Sequence, residues 1–157
     1  MDIYAEERVQ QSLKQEYAYI FTEKKYPGVP ELKFHTIAEK AFEVEGIKII
    51  PIRAMHHELP ILGFRIKDFT YLTDINFIPE KEKEKILGSK HIAITGLRKY
   101  HHLSHFSLDE SLAMLKELSP EFGYITHCSH QLGLYTEVQA ELPPNIVLAY
   151  DGLKINC

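Results

Sequence analysis

The chain has 157 residues, of which 45% are apolar, 25% charged and 11% aromatic, so it is expected to fold as a single domain over residues 1–157 and not as a disordered or collagen-like chain. Its 18 Lys and Arg residues against 22 Asp and Glu residues give a formal net charge of -4, which argues against nucleic acid as a main partner. No apolar run approaches the roughly 18 residues that span a bilayer, so we expect a cytoplasmic protein without membrane contact.

The N-terminal part of the chain combines one helical segment with several short strand-like runs. Residues 5–21 place Val9 and Leu13 at helical spacing, which predicts an amphipathic helix, and Ile3-Tyr4 just before it indicates the end of a strand. After Pro27 the apolar pattern becomes short and alternating, which is typical of β-strands. The predicted strands are LKFHTI (32–37), IKIIPIRAM (47–55) and GFRIKDFTYLTD (63–74).

From Pro79 onward, helices and strands alternate regularly, which predicts a layered α/β architecture. Ser107 and Glu110 form the pattern of a capping box, so one helix should begin there and residues 98–106 should form the loop before it. The run EKEKEK at 80–85 is interpreted as a solvated helix face. The predicted order is helix 79–87, strand 91–97, helix 107–118, strand 123–127, helix 132–142 and strand 146–150.

Potential metal ligands stand where four of the predicted strands end, and they account for many of the nine His residues. Loops at strand ends open onto a common edge of a sheet, so such side chains can meet there. Imidazole and carboxylate are ligands that Zn²⁺ and Mn²⁺ accept, and the chain has only two cysteines, without C-x-x-C spacing. The four groups are His56-His57, then Asp74, then His101, His102 and His105, and then His127 with His130.

Each of these residues also has an ordinary structural interpretation. His56 or His57 alone is typical of a turn, and Asp74 alone is typical of an Asx-turn or helix cap. His127 alone could be a hydrogen-bonded core histidine, and the loop histidines could simply be solvated. The recurrence at four separate strand ends favours function, whereas His35 and His91 lack such placement and are interpreted as structural.

These same segments resemble the metallo-β-lactamase superfamily, and within it the cyclic-phosphate phosphodiesterases related to a phosphonate-breakdown enzyme. The resemblance extends over residues from about 3 to 157 and is carried by PIRAMHHELPILGFR from Pro51, YLTD ending at Asp74, LRKYHHLSHFSLDE from Leu97, YITHCSH ending at His130 and AYDG ending at Gly152.

The resemblance implies an αββα sandwich with two divalent metal ions, Zn²⁺ or Mn²⁺, and a small-molecule phosphodiester as substrate. His56 would then bind one metal, Asp74 would bridge both, and His127 would bind the second. His105 would be the catalytic histidine that protonates or stabilises the leaving alkoxide. His102 and His130 would support the ligands or contact the substrate.

One departure from the family pattern concerns its His-x-His-x-Asp-His motif, which occurs nowhere in residues 1–157. We therefore expect an N-terminally truncated sandwich, corresponding to the C-terminal part of a longer hydrolase, with weak or partial metal binding. The missing strands would leave an edge and an apolar face uncovered, which predicts a homodimer or a domain-swapped oligomer.

Two alternatives to a phosphodiesterase of this family stay open at this stage. The chain could be a non-catalytic remnant or assembly domain with a vestigial metal site, or a hydrolase of the same fold that cleaves a thioester or lactam. A third hypothesis is a mononuclear site made only of His101, His102 and His105. Ligand types that suit both Zn²⁺ and Mn²⁺ do not distinguish between the two metals.

Overall fold

The computed structural model describes residues 1–22 and 27–156 as a mixed α/β protein. The chain divides into two compact units, Met1–Phe42 and Glu43–Cys157, and each is described by itself. The prediction of a single domain over residues 1–157 stays a prediction.

The first unit is built around a pair of parallel strands, β1 (Asp2–Ala5) and β2 (Lys33–Thr36). Between them lie helix α1 (Glu7–Glu16) and a short 3-10 helix, Ala18–Ile20. The two strands are joined by the buried Gln10, whose Nε2 donates to the Ala5 carbonyl at 2.8 Å and to Thr36 Oγ1 at 3.1 Å. His35 packs within this unit, 2.6 Å from Asp2 Oδ1, which agrees with its structural interpretation.

The second unit is organised by a seven-stranded sheet, in which the strands follow one another in sequence order. Two antiparallel pairings come first, and parallel pairings separated by helices follow. The strands are β3 (Phe42–Val44), β4 (Ile47–His56), β5 (Leu59–Ile66), β6 (Phe69–Leu72), β7 (His91–Thr95), β8 (Phe122–Thr126) and β9 (Ile146–Leu148). The helices are α2 (Glu80–Ile86), α3 (Leu108–Leu118) and α4 (Tyr135–Glu141).

This strand order brings the carboxyl ends of five strands to one edge of the sheet. Strands β6, β7, β8 and β9 are parallel, so their carboxyl ends lie at the same edge. Strand β4 is antiparallel to β5, which is antiparallel to β6, so β4 also ends at that edge. The topology alone therefore places the residues that follow β4, β6, β7 and β8 at the same edge of the sheet.

The hydrophobic core lies on the face of the sheet that carries the three helices. Helix α3 begins at the predicted capping box, since Ser107 Oγ accepts the Glu110 amide while the Glu110 carboxylate accepts the Ser107 amide. The strand side chains of the core alternate with those of the other face, as the pleat requires. The core includes Ile52, Ala54, Leu72, Ile92, Ile94, Ile125 and Leu148 from the strands and Ile86, Leu108, Leu115, Leu118 and Val138 from the helices.

The opposite face of the sheet carries partly exposed apolar side chains. Ile47, Tyr71 and Phe122 share this face by register and are 46%, 42% and 44% exposed. Ala93 and Tyr124 of the same face are buried, at 5% and 8% exposed, so the expectation of an uncovered apolar face stays a prediction. In the described part of the chain, no helix has the length and apolar character needed to cross a membrane.

The structure corrects the predicted strand 63–74. Residues 63–74 form parts of two strands, β5 and β6, because the chain reverses at Lys67-Asp68 and Lys67 takes a positive φ of 53°. Strand β3, which precedes the turn at Glu45-Gly46, was not predicted.

Two predictions about helix faces also need correction. The predicted helix 5–21 ends as an α-helix at Glu16, and Val9 is 37% exposed whereas Gln10 is buried. The run 80–85 is not simply a solvated face, because Glu82 is only 3% exposed. Gln10 and Glu82 are buried because each makes hydrogen bonds to residues outside its own helix, and helical periodicity does not reveal such bonds.

Candidate metal centre

The cluster at the sheet edge is built around Asp74, which follows β6. One oxygen, Asp74 Oδ1, lies 3.2 Å from His105 Nε2 and 3.2 Å from His127 Nε2. The His105 and His127 rings stack with their centroids 4.9 Å apart and an interplanar angle of 12°. His56 meets His105 edge to face at 4.7 Å. The structure thus brings together the four residues that the sequence singled out from four strand ends.

The backbone turns sharply at these residues. Asp74 has a φ of 57° and His127 a φ of 58°, both in the left-handed region that residues other than glycine rarely adopt. His57 also has a positive φ, 55°, directly after His56. Each of these residues immediately follows the end of its strand or lies one residue beyond it, so the chain leaves the sheet there.

One serine and one histidine side chain contact the other ring nitrogen of His105. His105 Nδ1 lies 2.9 Å from Ser104 Oγ and 3.1 Å from His102 Nδ1. Because a carboxylate only accepts hydrogen bonds, His105 Nε2 carries the proton that faces Asp74 in this arrangement. Its Nδ1 is then the acceptor for Ser104 or His102.

Burial keeps two of these imidazoles neutral. Desolvation lowers the pKa of His105 below its usual 6.5, against the opposing effect of its hydrogen bond with Asp74, and the nearby His127 lowers it further. Desolvation, followed by the charge of Arg98, also lowers the pKa of His102. At pH 7 both rings are therefore uncharged, and a neutral imidazole is the form that binds a metal ion.

The donor set fits one divalent cation. One ligand atom from each of His56, Asp74 and His105 lies within 4.8 Å of the other two. The 3.2 Å separations at Asp74 Oδ1 are close to the edge of roughly 3.3 Å expected between two ligands of tetrahedral zinc with bonds of about 2.0 Å. Two imidazoles and a carboxylate also match the three protein ligands usual in catalytic zinc sites.

The remaining predicted residues lie at the margin of the cluster. His101 points elsewhere, with its Nδ1 3.3 Å from Glu110 and its side chain 76% exposed. The hypothesis of a mononuclear site from His101, His102 and His105 therefore lacks one of its three ligands in this structure. His57 and His130 are exposed residues.

Sequence reasoning missed three residues that support the cluster. Ser104 contacts His105, and Asn76 joins two loops because its Oδ1 accepts the His57 amide at 2.8 Å and its Nδ2 donates to the Leu103 carbonyl at 3.0 Å. Arg98 bonds to Gln131 in the loop after His127 and to the His101 carbonyl in the loop of His105. Ser104 directly precedes His105 and Asn76 lies two residues after Asp74, and this closeness in sequence could have indicated their supporting role.

The fold and this cluster together define a class, the metallo-β-lactamase fold with a histidine and aspartate metal centre. Residues 1–128 match the family described as Beta-lactamase superfamily domain, and the chain belongs to this family, a superfamily of hydrolases whose fold implies divalent metals.

Particular relatives refine this likeness. A diphosphatase from the PhnP family is 34% identical with a TM-score of 0.90, and the match covers 99% of this chain and 57% of that one. An octanoyltransferase of Porphyromonas gingivalis (strain ATCC BAA-308 / W83) is 33% identical over 154 residues, which are 97% of this chain and 31% of that protein. Zn²⁺-bound PqqB from Methylobacterium extorquens, at 16% identity and a TM-score of 0.72 over 100% of this chain and 65% of that one, shares the fold. The chain thus spans less than two thirds of the length of each.

Proposed function

We propose that this site belongs to a binuclear metal phosphodiesterase that hydrolyses small phosphate esters, including cyclic diesters. The convergence of His56, His105 and His127 on Asp74 carries the proposal. The 34% identity to a diphosphatase of the PhnP family supports phosphorus chemistry over cleavage of a thioester or lactam.

In this proposal each residue of the cluster has one role. His56 would hold one metal ion and His127 a second, and Asp74 would serve both as a shared ligand. Bound metals would supply Lewis acidity and lower the pKa of water, so that hydroxide is available near neutral pH. His105 faces the same point through Nε2 and would stabilise the leaving alkoxide by donating a hydrogen bond from its Nε2–H, while Ser104 and His102 fix its other nitrogen.

The number and charge of the available ligands determine how tightly this chain by itself can bind two metal ions. The described cluster offers a single carboxylate, which compensates little of the charge of two divalent ions. The 157 residues contain no His-x-His-x-Asp-His motif. We therefore expect weak binding of the second metal and low turnover from this chain by itself.

A role in octanoyl transfer is less well supported by the site. The match to the octanoyltransferase covers only 31% of that protein, so the named activity can reside in the rest of it.

The test is metal content and hydrolysis in the same samples. The chain is loaded with Zn²⁺ or Mn²⁺, dialysed and measured by elemental analysis, calorimetric titration and turnover of bis-p-nitrophenyl phosphate. We expect His56→Gln and His127→Gln each to lower metal affinity at least tenfold, and His105→Gln to abolish turnover. His91→Gln, which removes a histidine bonded to Tyr124 within the sheet, serves as the control and should change neither.

Each outcome distinguishes between the hypotheses. Unchanged metal affinity in His127→Gln would contradict the site itself. Metal binding that depends on His127, without hydrolysis of any phosphodiester, would favour the non-catalytic alternative. Two tightly held metals per chain with full turnover would contradict the expectation of a weak second site.

A further inference from the structure

The stacking of His105 on His127 requires two separate loops to be held together. His105 lies in the loop between β7 and α3, and His127 begins the loop between β8 and α4. Neither loop contains regular secondary structure at these residues. His127 directly follows β8 and is positioned by the sheet, but His105 lies well beyond the end of β7, so its position against His127 also depends on hydrogen bonds between the two loops.

Arg98 makes contacts with both loops at once. Its Nη1 donates to Gln131 Oε1 at 2.9 Å, and its Nη2 donates to the His101 carbonyl at 2.9 Å. Its Nε donates to the Tyr100 carbonyl at 3.3 Å, and the guanidinium lies over the Tyr100 ring at 4.2 Å. One side chain thereby fixes the start of the His105 loop and ties it to the His127 loop.

The backbone around Arg98 reinforces this connection. The Leu97 carbonyl accepts the Ser129 amide at 2.9 Å, and the Leu97 amide donates to the Phe106 carbonyl at 3.0 Å. The Arg98 carbonyl accepts the amide of Leu108, the first residue of α3, at 2.8 Å. The backbone from which the Arg98 side chain projects is therefore held in place by hydrogen bonds to both neighbouring segments.

The geometry points to Arg98 as a positioning residue that sets the approach of His105 and His127 to Asp74. This inference rests on the proposed function. The acceptors of the guanidinium are two carbonyls and an amide oxygen, so its role is to link neutral groups. A lysine cannot replace it, because a single ammonium lacks the planar fork that reaches Gln131 and two carbonyls together.

The test uses variants of both partners of the link, with a neighbouring cation as the matched control. Arg98→Lys and Arg98→Met remove the fork, and Gln131→Ala removes its acceptor on an exposed side chain, so that folding is retained. Lys99→Met is the control, since Lys99 lies in the same loop but pairs with Glu141 at 2.6 Å.

The first readout is amide hydrogen exchange of the metal-free chain, which does not depend on activity. We expect exchange at least about threefold faster in both loops for Arg98→Met, Arg98→Lys and Gln131→Ala, with α3 unchanged. We also expect the imidazole proton signals of His105 and His127 to lose their mutual ring-current shift. Faster exchange in only one loop, or unchanged exchange in Gln131→Ala, would overturn the inference.

The second readout separates positioning from binding in the metal-loaded protein. If the wild-type chain hydrolyses a phosphodiester, kcat should fall about tenfold in the Arg98 variants with KM within twofold, and Arg98→Lys should not rescue it. If the wild-type chain is inactive, the proposed function fails while hydrogen exchange still decides the inference. A kcat that falls equally in Lys99→Met would refute a specific role for Arg98.

Discussion

The buried carboxylate of Glu82 allows a quantitative test of how α2 supports the strand that carries His56. The side chain of Glu82 is 4% exposed, and its Oε2 accepts the Arg53 amide at 2.7 Å and the Lys85 ammonium at 2.7 Å. Lys85 also donates to the Pro51 carbonyl at 3.1 Å. Alternate residues of β4 direct their backbone groups away from β5. The contacts with Glu82 and Lys85 therefore supply hydrogen-bond partners to the Arg53 amide and the Pro51 carbonyl, which β5 does not reach.

We expect Glu82→Ala to destabilise the chain by about 2–4 kcal/mol. The Arg53 amide would lose its acceptor, at a cost of about 1–3 kcal/mol. Lys85 would lose its ion pair, which is worth about 1 kcal/mol because Lys85 is 27% exposed and retains Pro51. In a chain of this size each kcal/mol lowers Tm by about 2–4 °C, so the expected loss is roughly 4–16 °C.

Glu82→Gln separates the two contributions. Glutamine retains an acceptor for the Arg53 amide and loses only the charge, so we expect a loss of about 1 kcal/mol. Glu84→Gln, on an exposed position of the same helix, is the control and should stay within about 0.5 kcal/mol of wild type. Urea and thermal unfolding measure all three variants. Equal losses in Glu82→Ala and Glu82→Gln would refute the role assigned to the Arg53 amide.

The same network predicts a pH dependence. Burial opposes ionisation of Glu82, but hydrogen bonds from Lys85 and from the Arg53 amide outweigh it and lower the pKa of this carboxyl below its usual 4.5. A lowered pKa in the folded state stabilises the chain above the ordinary pKa, and this stability is lost as the pH falls through the folded value. The difference between wild type and Glu82→Gln should therefore be full near neutral pH and shrink below pH 4.5; a constant difference would contradict it.

Three further predictions address packing, capping and assembly. Gly63→Ala would place a Cβ 2.8 Å from the Tyr71 carbonyl oxygen and should lower the free energy of unfolding in urea by about 1–3 kcal/mol. A Cβ added at Gly46 meets no atom within 4 Å, so Gly46→Asn should lower it by about 1 kcal/mol or less. Ser107→Ala removes the helix cap and should cost about 1 kcal/mol, which Ser107→Thr should largely restore. Light scattering should show the expected homodimer or larger oligomer, and Phe122→Lys should weaken it if the exposed sheet face forms the interface; a wild-type monomer would refute this assembly.

The parts of the fold that sequence predicted are those governed by local signals. The capping box at Ser107 and Glu110 depends on residues three apart, and it set the start of α3 correctly. The alternation of helices and strands after Pro79 follows from short periodic runs between turn residues. The meeting of site residues could also be anticipated, because parallel strands separated by helices end at one edge whatever their detailed packing.

The parts that sequence did not predict depend on partners far along the chain. The turn at Lys67-Asp68 contains neither glycine nor proline, so nothing local distinguished two strands from one. Glu82 is buried because an amide 29 residues earlier needs an acceptor, and a charged run gives no sign of that. Arg98 is conspicuous only in three dimensions, since its acceptor Gln131 lies 33 residues away.

Two residues of the candidate site have a left-handed backbone conformation. A left-handed conformation of a residue such as Asp74 or His127 costs of the order of 1–3 kcal/mol and persists only when the surroundings enforce it. At these two positions the surroundings are the adjoining strands β6 and β8, whose register is fixed by parallel pairing with β7. The rigid sheet holds the strand ends, and the strained turns then aim Asp74 and His127 at a common point.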